Sequence, residues 1–301
     1  MRALVIGLVQ ISSTHIIFRY MTKRIAWLAV VIVVLQTMAS CSHYQKVLKS
    51  DDLEYKYEEA TKYYNEGEYF KALSLYEELI ALYRGLGKAE EIYYYYAYSH
   101  YYLEDYIMAA FYFKNFIRTY PTSKHAEESM FTAAYCYYLN SPAYSLDQSS
   151  TYTAIEELQL FANRYPKSEK VSDCNELIDV LRDKLESKAF HISKLYFNLS
   201  EYKASIVSFN NVIRDYPDSK YQEESLLFIL KSNYLLAINS VDSKKKKRFE
   251  DTIIAYQKFE NYRPNVTELG KESDGTGADA NLAKEAESIL KNTRKQLGNI
   301  I

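Results

Sequence analysis

Residues 90–123, EEIYYYYAYSHYYLEDYIMAAFYFKNFIRTYPTS, decide the fold. Their first half places Tyr94, Tyr98 and Tyr101 on one helical stripe and Tyr93, Tyr96, Ala97 and His100 on the next. The second half, from about Asp105, carries Tyr106, Ala109, Phe113 and Phe116 at helical spacing. Ala97 and Ala109 are small enough to let two helices approach, and the aromatic rings fill the seam between them. Pro121 ends the second helix because it has no N–H to continue the ladder. The stretch therefore predicts two helices joined by a tight turn and closed by Tyr-Pro.

At 34 residues this hairpin resembles a tetratricopeptide repeat, and the chain contains further copies. The closing signature Tyr120-Pro121-Thr122-Ser123 returns as Tyr165-Pro166-Lys167-Ser168 and Tyr216-Pro217-Asp218-Ser219, and more loosely as Tyr262-Arg263-Pro264-Asn265. The prolines of these signatures lie 45, 51 and 47 residues apart, so the later repeats contain insertions. An earlier copy, Tyr69, Ala72, Tyr76, Leu79, lacks the proline and ends at Gly85 and Gly87. Five repeats fit between about Asp51 and Asn265. Eight glycines and five prolines in 301 residues, with no alternating strand pattern bounded by hairpin dipeptides, leave an all-α reading: a tetratricopeptide-repeat solenoid with a C-terminal helix.

Ahead of the repeats, Met21-Thr22-Lys23-Arg24 followed by the apolar run Ile25–Leu35 reads as an export signal, since 11 residues are too few to cross a bilayer core of about 30 Å. Met38-Ala39-Ser40-Cys41 follows in the pattern of a bacterial lipoprotein signal, with Cys41 as the lipidated first residue of the mature chain; an ordinary cleaved signal with an incidental cysteine is the alternative. Residues 1–40 are read as the signal, with Met21 a candidate start. Their removal leaves 33 basic against 39 acidic groups, a net charge of −6 that argues against a nucleic-acid partner. Acyl chains at Cys41 would anchor the protein to a membrane without crossing it. No cofactor is expected beyond that covalent lipid.

Residues 41–50 read as a short tether in which Tyr44, Val47 and Leu48 are able to pack as a first turn, with Ser50 or Asp51 as the next N-cap. Residues 51–140 form the first part of the solenoid and 141–265 the later repeats with insertions. Repeat three breaks at Asn140-Ser141-Pro142, and a polar loop delays its second helix until about Thr151. Repeat four begins with a long helix from about Ser172 to Leu199. Residues 240–248 break repeat five with a basic run, residues 266–279 are a glycine-containing linker, and 280–301 form a polar helix able to cap the stack. Cys136 and Cys174 lie in apolar helical patterns, as buried thiols or as a disulfide pair.

Catalytic patterns are missing: there is no Gly-rich phosphate loop, no His-Glu-x-x-His, no Cys-x-x-Cys and no Gly-x-Ser-x-Gly, and the histidines are scattered over different repeats. The sequence supports a binding surface. With Tyr93, Tyr96, Ala97 and His100 facing the partner helix, Tyr94, Tyr98 and Tyr101 would face a groove. The same phase adds Tyr57 and Tyr64 from repeat one and Phe131, Tyr135 and Tyr138 from repeat three. Tyrosine offers flat apolar area with a hydroxyl that stays wet, which suits an extended peptide with alternating apolar side chains. The same stripes would equally serve as core between repeats, as aromatic residues at helical spacing usually do.

The export signal, Cys41, five repeats and the strings Phe116-Ile117-Arg118-Thr119-Tyr120-Pro121-Thr122 and Arg214-Asp215-Tyr216-Pro217-Asp218-Ser219 together resemble the BamD family, the lipoproteins of the outer-membrane β-barrel assembly machinery. The insertion ending Leu146-Asp147-Gln148-Ser149-Ser150 falls where that family lengthens its third repeat, and the resemblance covers about residues 38–265. It implies a non-enzymatic role on the periplasmic face of the outer membrane, working with BamA. Early repeats would recognise the targeting strand of unfolded barrel proteins. Late repeats, with Arg214, Lys245 and Lys246, would dock a BamA-type barrel protein. A pilotin escorting secretin subunits and a glycan-binding outer-membrane lipoprotein are the alternatives.

Overall fold

The computed structural model describes residues 43–268 and 278–300, and all regular structure among them is helical. The signal at 1–40, Met21 and Cys41 lie outside the described residues, as does most of the 266–279 linker. A short helix α1 covers 43–48. Four hairpin helices follow: α2 (Leu53–Asn65), α3 (Tyr69–Leu82), α4 (Ala89–Tyr102) and α5 (Tyr106–Thr119). Then come α6 (Ala126–Leu139), α7 (Ser149–Arg164), α8 (Lys170–Asn198) and α9 (Tyr202–Asp215). The last three are α10 (Gln222–Ile238), α11 (Asp242–Glu268) and α12 (Ala278–Gly298). The protein is an all-α tetratricopeptide-repeat solenoid of helical hairpins, divided at Cys136/Tyr137 into two compact bodies.

In repeats one, two and four the turns between first and second helices share one geometry. Gly67, Glu104 and Ser200 all sit in the left-handed region, with φ of 79°, 61° and 62°. Each is followed by an acidic residue whose N–H reaches back six residues' span to a carbonyl: Glu68 to Tyr63, Asp105 to His100 and Glu201 to Tyr196. This is a Schellman closure, which satisfies helix-end carbonyls and aims the chain into the next helix. Five residues past each left-handed residue stands a fully buried small side chain, Ala72, Ala109 or Ser205, where the two helices meet.

The closing signature has an equally local cause. Proline clashes with an α conformation in the residue before it. Tyr120, Tyr165 and Tyr216 accordingly leave the helix at φ/ψ of −125°/63°, −122°/62° and −130°/70°. Tyr83, which closes the repeat without a proline, stays at −90°/6°. The serine three residues on closes each turn, its N–H bonding the tyrosine carbonyl at 3.0–3.1 Å. Its hydroxyl then accepts the N–H two residues further on, as Ser123 does from His125, Ser168 from Lys170 and Ser219 from Tyr221.

The core of the first body gathers Val47, Tyr57, Ala60, Tyr63, Leu75, Tyr76, Leu79, Ile92 and Tyr96. Residues 43–48 are therefore more than a tether. Val47 is fully buried, the Tyr44 and Tyr63 rings meet at 5.8 Å, and the buried Lys56 ammonium donates to the Leu48 carbonyl at 3.1 Å and to Glu78 at 2.7 Å. The following N-cap is Asp52, one residue later than expected, because Ser50 Oγ instead accepts the Asp52 N–H.

The second body is built on α8, whose apolar positions Cys174, Ile178, Leu181, Leu185 and Phe190 run along 29 residues, and on α10, buried over Ser225–Leu230. The repeat-three loop is pinned down: Gln148 donates to the Ala143 and Leu146 carbonyls, and Lys184 and Lys188 donate to those of Ser141 and Leu146. The basic run departs from expectation. It is helical from Asp242, and Arg248 reaches back to the Leu236 carbonyl, closing the end of α10. Helix α11 continues to Glu268, past Pro264. Helix α12 packs on α10 and α11 through Ala286, Ile289 and the Lys231–Glu285 pair at 2.7 Å. Cys136 and Cys174 are both buried free thiols, not a disulfide.

Candidate peptide-binding face

Helix α4 is aromatic on nearly every side, and its neighbours decide which rings stay accessible. Tyr93, Tyr96 and His100 face α5, as their spacing predicts: Tyr93 meets Tyr112 and Phe116 at 6.3 Å, Tyr96 meets Tyr112 at 4.6 Å, and the His100 imidazole stacks on Tyr112 at 4.9 Å. Ala97 is fully buried at the contact.

Tyr94 and Tyr98 do not line an open wall; each is 9% exposed. Their hydroxyls donate to the two carboxylate oxygens of Glu128 on α6, both at 2.9 Å, and the Tyr98 hydroxyl also meets Thr132 at 3.2 Å. Beneath, Tyr98 packs edge-on against Phe113 and Tyr94 against Phe116. The physical reason is that α6 of the following repeat also packs on α4, through Glu128 and Thr132, and covers the stripe next to the α5 contact. Burial and the Glu128 charge hold both phenols well above their usual pKa.

Accessible rings occur one position along. Tyr64 and Tyr95 meet at 4.8 Å, Tyr64 and Tyr69 at 5.5 Å, and Tyr69 stacks on Tyr102 at 4.5 Å. Tyr64, Tyr69 and Tyr95 are half-buried, and Tyr102 is exposed. Tyr101, also half-buried, continues the patch through Tyr102 at 5.4 Å and lies beside Tyr135, which stacks on Phe131 at 6.1 Å. Tyr57 is buried next to Glu91, and the two effects push its phenol up to about 12. Beside it, Glu58, Thr61, Lys62 and Asn65 of α2 and its C-cap Glu66 line an open depression of about 480 Å³. Tyr138 is half-buried in the second body.

Of the eight expected wall residues, then, Tyr64, Tyr101, Phe131 and Tyr135 contribute to one aromatic face, Tyr57, Tyr94 and Tyr98 belong to the packing, and Tyr138 falls in the second body. Tyr69, Tyr95 and Tyr102 adjoin this face without being among the expected wall residues. Tyr95 and Tyr102 share a stripe with Glu91, a charged residue marking the solvent side of α4. Tyr69 has no such signal, because the left-handed turn at Gly67 is what brings it to Tyr102.

In the second body, Arg214 is exposed and holds its own neighbour Asp215 at 2.8 Å, Lys245 pairs with Asp242 at 2.9 Å, and Lys246 is exposed. Among the described residues no group of His, Cys, Asp and Glu is arranged to hold a metal ion, and no helix is long and apolar enough to cross a membrane.

Helical hairpins stacked in this way define a tetratricopeptide-repeat protein. The chain belongs to the YfiO family of outer membrane lipoproteins, whose model matches residues 49–248. Among curated relatives, the outer membrane protein assembly factor BamD of Caulobacter vibrioides is 27% identical over 142 residues, 47% of each chain. The BamD of Rickettsia prowazekii is 27% identical over 120 residues, 38% of this chain and 47% of the relative. The match thus spans about half the length of these relatives. Among solved structures, the TPR2AB-domain:pHSP90 complex of yeast Sti1 aligns over 82% of this chain and 96% of its own at 12% identity and a TM-score of 0.37.

Proposed function

We propose that this protein is a non-catalytic scaffold of outer membrane protein assembly, holding extended segments of unfolded β-barrel proteins on the aromatic face of its first body. The observation that carries the reading is the family match over 49–248 together with that face. Half-buried tyrosines keep their rings positioned, so little side-chain freedom is lost when a strand with alternating apolar residues lies across them. The second body, with Arg214, Lys245 and Lys246 at its surface, docks a BamA-type barrel protein. Acyl chains at Cys41 hold the molecule on the periplasmic face of the outer membrane.

The test is purification of the membrane-anchored protein after solubilisation, with mass spectrometry of what accompanies it. A stoichiometric barrel protein bearing periplasmic repeats is expected. A secretin or a glycan transporter in its place would overturn the assignment while leaving the fold intact. For the face itself, Tyr95→Ala with Tyr102→Ala should weaken binding of a fluorescent barrel-strand peptide at least about tenfold, at about 1 kcal/mol or more per ring lost. Unchanged affinity would remove these residues from the site.

A further inference from the structure

Four large apolar side chains stand out from one edge of the first body. Phe70 is 71% exposed, Ile107 61%, Tyr102 45% and Leu103 38%. All lie at the α2–α3 and α4–α5 turns, and the Tyr69–Tyr102 stack at 4.5 Å sets the two turns side by side. Nothing in the fold of this body uses Phe70, Leu103 or Ile107 as core.

The path of α1 supplies the second observation. His43 bonds Glu59 at 2.9 Å, Tyr44 meets Tyr63, and the Leu48 carbonyl receives Lys56. Helix α1 therefore runs antiparallel to α2: the chain enters beside the second half of α2, between Glu59 and Tyr63, and the N-terminus of α1 points toward the end of α2 that carries these turns. Cys41 lies two residues before His43, a reach of at most about 7 Å. The opposite edge, where Lys88 bonds Glu54 at the start of α2, lies at the end from which α1 points away, and the 13-residue α2 separates the two edges by about 20 Å.

We propose that this turn edge rests on a zwitterionic phospholipid surface, with Phe70, Leu103 and Ile107 seated among the headgroups beside the lipid anchor; the inference rests on the anchoring at Cys41 proposed above. Aromatic and aliphatic side chains at the membrane interface are favourable there, and a second contact turns a single point of attachment into a fixed orientation. The lipid class follows from charge. Glu66, Glu68, Glu104 and Asp105 surround the patch, against Lys62 and Lys71, so an anionic surface would be repelled.

The experiment uses single tryptophans in the full, processed chain, which has none of its own because Trp27 lies in the expected signal. Phe70→Trp, Ile107→Trp and, on the far edge, Leu86→Trp are each bound to phosphatidylcholine–phosphatidylethanolamine vesicles with and without brominated acyl chains. Expected are a blue shift and loss of emission on brominated lipid at positions 70 and 107, none at 86, and a smaller loss when anionic lipid is added. No loss at 70 and 107, or equal loss at 86, overturns the proposal. So does emission at 70 that responds to a barrel-strand peptide and not to lipid, which would assign the patch to a protein client. Intact mass reports acylation separately. If the acyl group is missing, the anchor fails and the same quenching with added vesicles decides the patch alone: loss confined to 70 and 107 upholds it, and its lack overturns it.

Discussion

Replacing Glu104 by glycine is expected to stabilise the first body, although it removes a side chain and puts the residue least suited to ordered structure in its place. Glu104 sits at φ 61° with an exposed side chain at the C-terminal end of α4. Holding an L-residue with a Cβ in that region costs about 1–2 kcal/mol, while glycine loses about 0.4–1 kcal/mol more backbone entropy on folding. An acidic group at a helix C-terminus also opposes the macrodipole by about 0.3 kcal/mol. The net expectation for Glu104→Gly is a gain of about 0.5–1 kcal/mol, or about 3–6 °C in the midpoint of a body this size. Gly67→Ala is the mirror experiment. A Cβ there would meet nothing within 4 Å, so its expected loss of about 1 kcal/mol is purely conformational. Urea unfolding followed by far-UV circular dichroism reads both, with an unchanged slope required for a pure stability change. Ser200→Gly should shift only the transition of the second body. A loss for Glu104→Gly, or no effect of Gly67→Ala, would refute the left-handed turns as a source of strain.

Three further outcomes follow from the tyrosine and cysteine environments. Tyr57 is raised to about 12 and Tyr64, Tyr76, Tyr94, Tyr96 and Tyr98 are raised further, all chiefly by burial. Because the folded state holds these phenolic protons more tightly, their contribution is complete below about pH 10 and is lost as pH rises through the folded values; helix signal and phenolate absorbance should change together above that point, and independent ionisation at constant helicity would contradict the burial. Tyr98→Phe should cost about 1 kcal/mol by removing the bond to Glu128, whereas Tyr102→Phe should be neutral within about 0.5 kcal/mol in the same urea assay. Burial pushes the Cys136 thiol up to about 12 and Cys174 up to about 11, so neither should react with a thiol reagent at neutral pH until the protein is unfolded; fast native labelling would contradict their placement.

Much of the fold was legible because its signals are local. Tyr-Pro-x-Ser dictates a turn through the steric rule on the residue before proline, and the small residue five places after each inter-helix turn marks a helix contact. What could not be read was which tyrosines remain accessible. In α4 tyrosines occupy almost every side of AEEIYYYYAYSHYY, so beyond Glu90 and Glu91 in its first turn periodicity gives little preferred phase. The pattern at Tyr94 and Tyr98 fits seam and wall equally, and only the arrival of α6 from 30 residues away puts both in the packing. The late basic run shows the same limit: consecutive lysines read as a loop, but the Arg248 bond to the Leu236 carbonyl keeps the helix start close to α10.

Glu128 gives this architecture a property beyond packing. Two phenols of α4 converge on one carboxylate in the first turn of α6, where a negative charge also suits the helix dipole. In a stack of repeats stability divides into what each repeat supplies alone and what each junction adds, and the junction share sets how many repeats melt together. A directional, charge-assisted junction is lost all at once, unlike an apolar contact that slides. The second repeat and the start of the third therefore behave as one cooperative block, and a load placed on the tyrosines of α4 is shared with α6.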